Sequence, residues 1–303
     1  MLDKTSHTKP ILQMLVGLSG SGKSTYAEST GRAVYSSDSL RAELYGNIND
    51  QTHNTEVFTE LHKRIINALA RGENCVYDAT NLSAKRRKAF LKSIANIDCV
   101  KICTIIAAPF LWCVENDEQR SRSVGYNVIH RQMRQFEMPH LAEGWDTIHV
   151  VRQQEDRYID LSERFKYKEL DMEHDSPYHR ETVQQHMRMA ANLAMEAGED
   201  KEFYEAVLFH DYGKFYTKVF HDAKGRPTEF AHFYGHENVG AYMYLTSKNF
   251  KGLDYLYLIQ FHMMTLKGEK AWVKFRKQYG DELADAVARF SEYDTKGRCG
   301  YEN

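Results

Sequence analysis

The nine residues from Gly17 to Thr25 read GLSGSGKST and satisfy the spacing G-x-x-x-x-G-K-[ST]. Glycines at those positions let successive backbone N–H groups turn inward around an anion, and a helix opening behind them adds its positive end. The chemistry on offer is polyphosphate binding. Gly17, Ser19, Gly20, Ser21, Gly22, Lys23, Ser24 and Thr25 would line the cradle, with Lys23 on the β- and γ-phosphates and Ser24 on Mg²⁺. Two carboxylates then compete for a role on the acceptor side. Asp38 follows the short apolar run AVYSS, and Asp78 follows CVY. If both runs are parallel strands, their carboxyl ends share one crevice with the cradle. Asp38 would there take a proton from an attacking hydroxyl, and Arg41, one helical turn on, would bind a phosphate of the acceptor. Asp78 suits Mg²⁺, directly or through another ligand. Either aspartate equally suits a helix N-cap, so residue type alone leaves both roles open. The stretch EQRSRSVGYNVIHRQMR adds Arg120, Arg122, Arg131 and Arg134. One of these would close over a transferring phosphoryl group, and the rest would be solvated charge.

A second set of chemistry-bearing residues lies further along, where eight of the 14 histidines fall after residue 165. The dipeptide His-Asp occurs at His174-Asp175, His210-Asp211 and His221-Asp222. Only His210-Asp211 ends an apolar helical run, AVLF, and is followed by a turn carrying Lys214; the other two pairs sit in polar segments. Around it stand His186, His236, His262 and Asp294, with His179 as an alternative to His186. Imidazole and carboxylate ligands suit Mn, Fe, Co, Ni or Zn, and two such ions would activate water and clamp a phosphoryl oxygen. His186 and His262 lie in amphipathic helices, where a satisfied core histidine is the bland alternative.

The elements that must position these groups change character along the chain. Up to about residue 150, the runs ILQMLVGL, AVYSS, NCVYDAT, CVKICTIIAA and DTIHVV read as strands, and helical periodicity falls between them. That alternation predicts an α/β domain with a largely parallel sheet. Beyond Val150 the strand signal almost vanishes, and helices are expected near residues 180–197, 201–210, 236–247, 253–264 and 281–293. The charged segment between the two regions reads as a linker or surface helix. The domains so drawn are 1–152, a linker at 153–175, and 176–303. Length points the same way, since 303 residues exceed what one core usually serves. A hydrophobic content of 42% with five prolines excludes disorder and low-complexity repeats. There is no apolar run of about 18 residues to span a membrane. Cys75, Cys99, Cys103, Cys113 and Cys299 form no C-x-x-C pair and read as reduced cytoplasmic thiols. The net charge of −2 neither demands nor excludes a nucleic-acid partner.

The order Gly17–Thr25, then S-S-D-S-L-R at Ser36–Arg41, then D-A-T-N-L at Asp78–Leu82 with Arg86 and Arg87, then the Arg120 segment, resembles the kinase domain of phage polynucleotide 5′-hydroxyl kinase/phosphatases. The resemblance covers about 150 residues and implies that Asp38 is the general base, that Arg41 binds the phosphate next to the terminal nucleotide, and that Arg120 is the lid arginine. The lid departs from the pattern at Gly125-Tyr126, which keeps Arg122 open for that role. From about Tyr178 to Asp294 the chain resembles the HD phosphohydrolases, on the element H-D-x-G-K at His210–Lys214. That resemblance implies His186, His210, Asp211 and Asp294 as metal ligands, His236 and His262 as ligands of a second ion or phosphate contacts, and Lys214 as catalytic. Together the two imply an α/β P-loop kinase domain followed by an all-α HD-type domain. The cofactors implied are ATP with Mg²⁺ in the first, and one or two ions such as Mn, Ni, Co or Fe in the second. The activity implied is end healing of broken nucleic acid, RNA above all, with a separate ligase as partner. A small-molecule or nucleoside kinase fused to an HD nucleotidase, or a nucleotide-binding signalling module, would share the same motifs.

Overall fold

The computed structural model describes residues 9–48, 50–120, 122–164 and 171–298. They fall into two units, one within Met1–Gln132 and Pro139–Gln153, the other within Met133–Met138 and Gln154–Asn303. In the first, the order is β1 (Ile11–Val16), α1 (Lys23–Ser29), β2 (Ala33–Ser36), α2 (Ser37–Tyr45), α3 (Asn54–Ala70), β3 (Cys75–Asp78), α4 (Ala84–Ser93), β4 (Val100–Ala107), α5 (Phe110–Glu118), α6 (Tyr126–Arg134, of which Met133 and Arg134 fall in the second unit) and β5 (Thr147–Arg152). The strands form one sheet in the order β2-β3-β1-β4-β5, and every neighbouring pair is parallel. A parallel sheet covered on both faces needs strands that are apolar throughout rather than alternating. Accordingly β3 is buried at all four positions, and β1 is buried from Leu12 to Val16. The helices supply the cover with one apolar stripe each, as Val57, Leu61, Ile65 and Ala68 do on α3. Because β3 lies between β1 and β2, Asp78 emerges between the glycine-rich loop and the start of α2.

The second unit contains α7 (Leu161–Arg164), α8 (Val183–Glu196), α9 (Lys201–Phe209), β6 (Lys218–His221), β7 (Pro227–Phe233), α10 (His236–Leu245), α11 (Leu253–Phe261), α12 (Glu269–Tyr279) and α13 (Asp281–Lys296). Its core is built from small and aromatic residues on facing helices: Met187 and Ala190 of α8, Phe203 and Val207 of α9, Val287 and Phe290 of α13. Local signals set the helix starts. Thr182 and Gln185 form a reciprocal capping box on α8, and the Asp200 side chain accepts from the Phe203 N–H at the start of α9.

The structure adds to the sequence reading in three places. An antiparallel hairpin, β6 with β7, interrupts the helices; its strands KVFH and PTEFAHF are exposed or half-buried at every position but Ala231 and carry no long apolar run to announce them. The helix expected through Met264 ends at Phe261, and the chain tightens into a 3₁₀ turn over His262–Lys267. Within the stretch read as a linker, Tyr158, Leu161 and His174 are buried, and Ile159 pairs with Ser247. Single apolar residues among many charges are enough to pack a segment that composition averages away. Residues 165–170 of that stretch, and Cys299, lie outside the described residues. Cys75, Cys99, Cys103 and Cys113 are free thiols and buried.

Candidate functional sites

In the first unit, the loop between β1 and α1 is held from three directions. Gly20 and Gly22 have φ of 78° and 89°, and Gly22 caps α1. A Cβ on Gly20 would stand 2.1 Å from the Cys113 carbonyl oxygen, so only glycine fits against α5. Asn116 of α5 donates to the Gly20 carbonyl at 2.7 Å. Gln132 of α6 accepts from the Ser19 N–H at 2.8 Å and donates to its hydroxyl at 2.9 Å. The D-A-T-N-L element braces the same loop: the Thr80 carbonyl accepts from the Gly17 N–H at 3.1 Å, and the Asn81 amide donates to the Leu15 carbonyl at 2.8 Å. Asn116 and Gln132 carry no motif signal, because their partners lie about a hundred positions away.

A cavity of about 170 Å³ opens over this loop, lined by Gly20, Gly22, Lys23, Ser24, Thr25, Asn116 and Arg120. Lys23 is buried and donates to the Leu18 carbonyl at 2.6 Å; burial pushes its ammonium below the ordinary lysine value, against the pull of Asp78. The Ser24 hydroxyl donates to Asp78 Oδ2 at 2.9 Å, the hydroxyl–carboxylate pair that would hold Mg²⁺ beside bound phosphates. Neither aspartate is a cap: Ser36 caps α2, with Asp38 inside its first turn, and α4 begins six residues after Asp78 with Ser83 at its cap position. The Asp38 carboxylate is gripped on both sides, by Arg41 Nη1 at 2.8 Å and Arg122 Nη1 at 2.9 Å. Arg41 is itself buried, with Nη2 on Asn54 at 2.9 Å. The two lid candidates thus stand apart, Arg120 at the phosphate cavity and Arg122 on Asp38. Between them and α6, Asp117 Oδ2 accepts from Ser123 Oγ, Val124 N and Gly125 N at 2.7, 2.8 and 2.9 Å, which fixes the loop that carries both. Arg134 itself falls in the second unit and donates to the Tyr234 carbonyl of that unit at 2.9 Å, and Arg131 is exposed. Arg87 is fully buried in a bidentate pair with Glu143, at 2.7 and 2.6 Å, and holds the fold rather than a ligand.

In the second unit, α8, α9, α10, α11 and α13 bring five side chains around one carboxylate. Asp211 Oδ2 lies 3.5 Å from His186 Nε2 and 3.3 Å from His210 Nε2. Asp211 Oδ1 lies 3.3 Å from His236 Nε2 and 3.6 Å from His262 Nε2. Asp294 closes the first group at 3.0 Å from His186 Nε2 and 3.7 Å from His210 Nε2. All six are buried. The backbone decides the tautomers. The Nδ1 atoms of His186, His210, His236 and His262 face the carbonyls of Gly297, Val207, Phe233 and Ile259 at 3.2, 2.7, 2.8 and 2.6 Å. A carbonyl only accepts, so each Nδ1 carries a hydrogen and each Nε2 is turned inward, where its lone pair would meet a cation.

That arrangement fits a cation and little else. His236 and His262 meet Nε2 to Nε2 at 3.2 Å with both Nδ1 hydrogens committed elsewhere, and His210 Nε2 and Asp211 Oδ1 are buried with no hydrogen-bond partner among the described residues. Three-ligand sets drawn from these residues, His186/His210/Asp211 and Asp211/His236/His262 among them, have donor atoms within 4.8 Å of one another. Asp211 belongs to both sets, which is what a bridging carboxylate between two ions requires. Burial opposes charge on His210, yet Asp211 and Asp294 outweigh it and raise its pKa to about 10. Burial likewise favours neutral acids, but Lys214 and His210 hold Asp211, and His186 and His210 hold Asp294, well below the usual carboxylate range. The field here calls for positive charge, whether protons or metal ions.

Lys214 Nζ lies 2.5 Å from Asp211 Oδ2. Arg298, absent from the sequence reading, places Nη2 3.2 Å from both oxygens of Asp294, one helical turn away. The pair His174-Asp175, set aside as polar, needs correction: His174 is buried beside Lys214. His179 does not share a face of α8 with His186, because it precedes that helix; it stacks on His174 instead, with ring centroids 3.8 Å apart.

Known proteins give the two units their class. Residues 12–139 match the AAA domain family, and residues 183–292 match the HD domain family. The chain therefore carries an N-terminal kinase-type P-loop domain with a parallel five-stranded sheet and a C-terminal, mainly helical HD domain. Among solved structures, a chain from Chloroflexus aurantiacus described as a kinase is similar at 15% identity and a TM-score of 0.41, over 52% of this chain and 95% of that one. A chain of the Pnkp1/Rnl/Hen1 RNA repair complex is similar at 19% identity and a TM-score of 0.39, over 45% of this chain and 47% of that one. An APS kinase from Mycobacterium tuberculosis is similar at 17% identity and a TM-score of 0.34, over 47% of this chain and 88% of that one. The protein thus spans about half the length of the repair-complex chain. No curated protein matches the sequence. Among the described residues, no helix is long and apolar enough to cross a membrane.

Proposed function

We propose that this protein is a cytoplasmic end-healing enzyme for broken nucleic acid, with RNA as its main substrate. Residues 1–152 phosphorylate 5′-hydroxyl ends from ATP and Mg²⁺, and residues 176–303 remove a 3′-phosphate or open a 2′,3′-cyclic phosphate. RNA is favoured because cyclic phosphates form only where a 2′-hydroxyl can attack. A separate ligase would seal the healed ends.

The observation that carries the reading is the setting of Asp38. A carboxylate gripped by Arg41 and Arg122, on the same sheet edge as Lys23 and Ser24, pairs a proton acceptor with a guanidinium suited to a phosphate. An acceptor whose hydroxyl and phosphate are both carried by the terminal nucleoside of one strand end satisfies both. In this reading the Asp38 carboxylate accepts the hydroxyl proton as the oxygen attacks the γ-phosphorus, and the bond from that phosphorus to the bridging oxygen breaks to release ADP. Lys23 and Arg120 balance the charge that builds on the transferring group, and Arg41 holds the phosphate beyond the terminal nucleoside. Gly17, Ser19, Gly20, Ser21, Gly22 and Thr25 cradle the nucleotide, while Ser24 and Asp78 hold Mg²⁺.

In the second site, His186, His210, Asp211 and Asp294 would hold one divalent ion, and His236, His262 and Asp211 a second, of the Mn, Ni, Co or Fe type. Such ions supply a nucleophilic water and Lewis acidity. Lys214 stands at the shared carboxylate, where a phosphoryl oxygen would meet it.

The test is to incubate the full chain with γ-labelled ATP and a 5′-hydroxyl RNA oligonucleotide ending in a 2′,3′-cyclic phosphate, and to analyse both ends. Label at the 5′ end and loss of the cyclic group are expected. Label on free nucleosides or small alcohols but not on the oligonucleotide would overturn the polynucleotide reading. An unchanged 3′ end with Mn, Ni, Co and Fe each supplied would overturn the phosphohydrolase reading.

A further inference from the structure

The first of the three His-Asp pairs belongs to neither the proposed ligand set nor the span matched by the HD family. His174 is only 1% exposed. Its Nδ1 faces the Glu181 carbonyl at 2.9 Å and so carries the hydrogen, leaving the Nε2 lone pair for the Lys214 ammonium at 3.2 Å. The same ammonium reaches the shared carboxylate, Asp211 Oδ2, at 2.5 Å. On its other side the His174 ring stacks on His179, with centroids 3.8 Å apart and planes 9° from parallel. His179 is fixed in turn by Glu181, whose Oε1 lies 2.7 Å from His179 Nδ1 and whose Oε2 accepts from the Arg180 N–H at 3.1 Å. The three side chains could be taken for a further metal site, since their donor atoms lie within 4.8 Å of one another. That fails on valence: both nitrogens of His174 are spent, one on a carbonyl and one on an ammonium that would repel a cation.

We infer that His174, backed by His179 and Glu181, is a positioning residue that holds the Lys214 ammonium at Asp211. A lysine has four flexible methylenes and three donors, and one carboxylate partner does not fix where the other hydrogens point. A second acceptor, itself immobilised by a stacked ring, removes that freedom and leaves one donor for a phosphoryl oxygen. The inference rests on the phosphohydrolase reading of the Asp211 site.

The test uses the full chain loaded with Mn²⁺, acting on an RNA oligonucleotide with a 2′,3′-cyclic phosphate end and on p-nitrophenyl phosphate. His174→Leu should lower kcat by about tenfold or more, in the range seen when a supporting hydrogen bond at a metal site is removed. KM, bound manganese and the 5′-kinase activity should stay as in wild type. His174→Gln, whose amide oxygen can accept from Lys214, should recover most of the loss. In a Lys214→Ala background, His174→Leu should have no further effect, because the role runs through the ammonium. A wild-type kcat in His174→Leu, the same fold-loss with and without Lys214, or loss of manganese from His174→Gln would each overturn the inference while Asp211→Ala still abolishes hydrolysis. A wild-type chain that hydrolyses neither probe would overturn the phosphohydrolase reading, and this inference with it.

Discussion

Asp38 and Asp211 are both carboxylates held among cations, yet their settings ask different chemistry of them. Asp38 is 44% exposed at its side chain and faces two guanidinium groups, which leaves it within reach of an acceptor. Asp211 is buried and faces the Nε2 atoms of four imidazoles, which leaves it for ions. Asp38→Asn should therefore lower 5′-kinase kcat by about 10²- to 10⁴-fold, the usual worth of a general base, and leave 3′-end hydrolysis unchanged. Asp211→Ala should abolish hydrolysis, empty both ion positions in metal analysis, and leave the kinase intact. Equal loss of both activities in either variant would mean that the two sites are not independent. Arg87 belongs to a third kind of setting, a fully buried pair with Glu143. Arg87→Ala strands the Glu143 charge and should cost about 3–5 kcal/mol in urea unfolding of the first unit.

At the scale of elements, both sites depend on close backbone contact that a methyl group would break. Gly213, in the turn after His210-Asp211, lies against the start of α10, and a Cβ there would stand 2.0 Å from the His236 carbonyl oxygen and 2.7 Å from the Gly240 nitrogen. That contact sets the distance between the shared carboxylate, Asp211, and His236 of the second proposed ligand set. Gly213→Ala should destabilise the second unit by about 1–3 kcal/mol or more and weaken manganese binding with it. Calorimetric unfolding and metal titration check both, and a variant with wild-type affinity for manganese would show that the turn can move without disturbing the site. The hairpin β6–β7 works in the same way, since the Phe233 carbonyl at its end fixes the His236 ring.

At the scale of the molecule, several imidazoles fold neutral. Burial lowers His62 and His262; burial first, and then the Lys214 charge, lowers His174 to about 3 and His179 to about 4. Unfolded, each titrates near 6.5, so below that pH the unfolded chain binds protons that the folded chain refuses. Stability is then complete above about pH 6.5 and is lost as pH falls toward 4, by about 2 kcal/mol from His174 alone between pH 6.5 and 5. His210 acts on the other side: its raised pKa contributes stability below about 6.5 that is lost as pH climbs toward 10. The metal-free protein should thus be most stable near neutrality, and urea midpoints at pH 7, 5.5 and 4.5 in a chelator should fall in that order. Midpoints that hold or rise on acidification would show that these rings are charged in the fold.

Sequence by itself determined what is local. The phosphate loop was legible because its glycines, lysine and hydroxyls act within nine residues, and the strands β1 to β5 because each carries its own apolar run. The six ligand candidates were legible by residue type, since His and Asp at helix ends are chemistry wherever they meet. Their meeting was not. Five helices and the carbonyl beneath each ring decide which nitrogen points inward, and no spacing along the chain encodes that. Tertiary packing likewise put Arg122 on Asp38 across 84 positions, spent Arg87 and Arg134 elsewhere, and drew His174 out of a polar stretch to the side of Lys214. Periodicity reports what a residue does to its neighbours within a turn or a pleat. Convergence of side chains from distant segments depends on how the loops close and how the helices seat, and only the folded backbone fixes that.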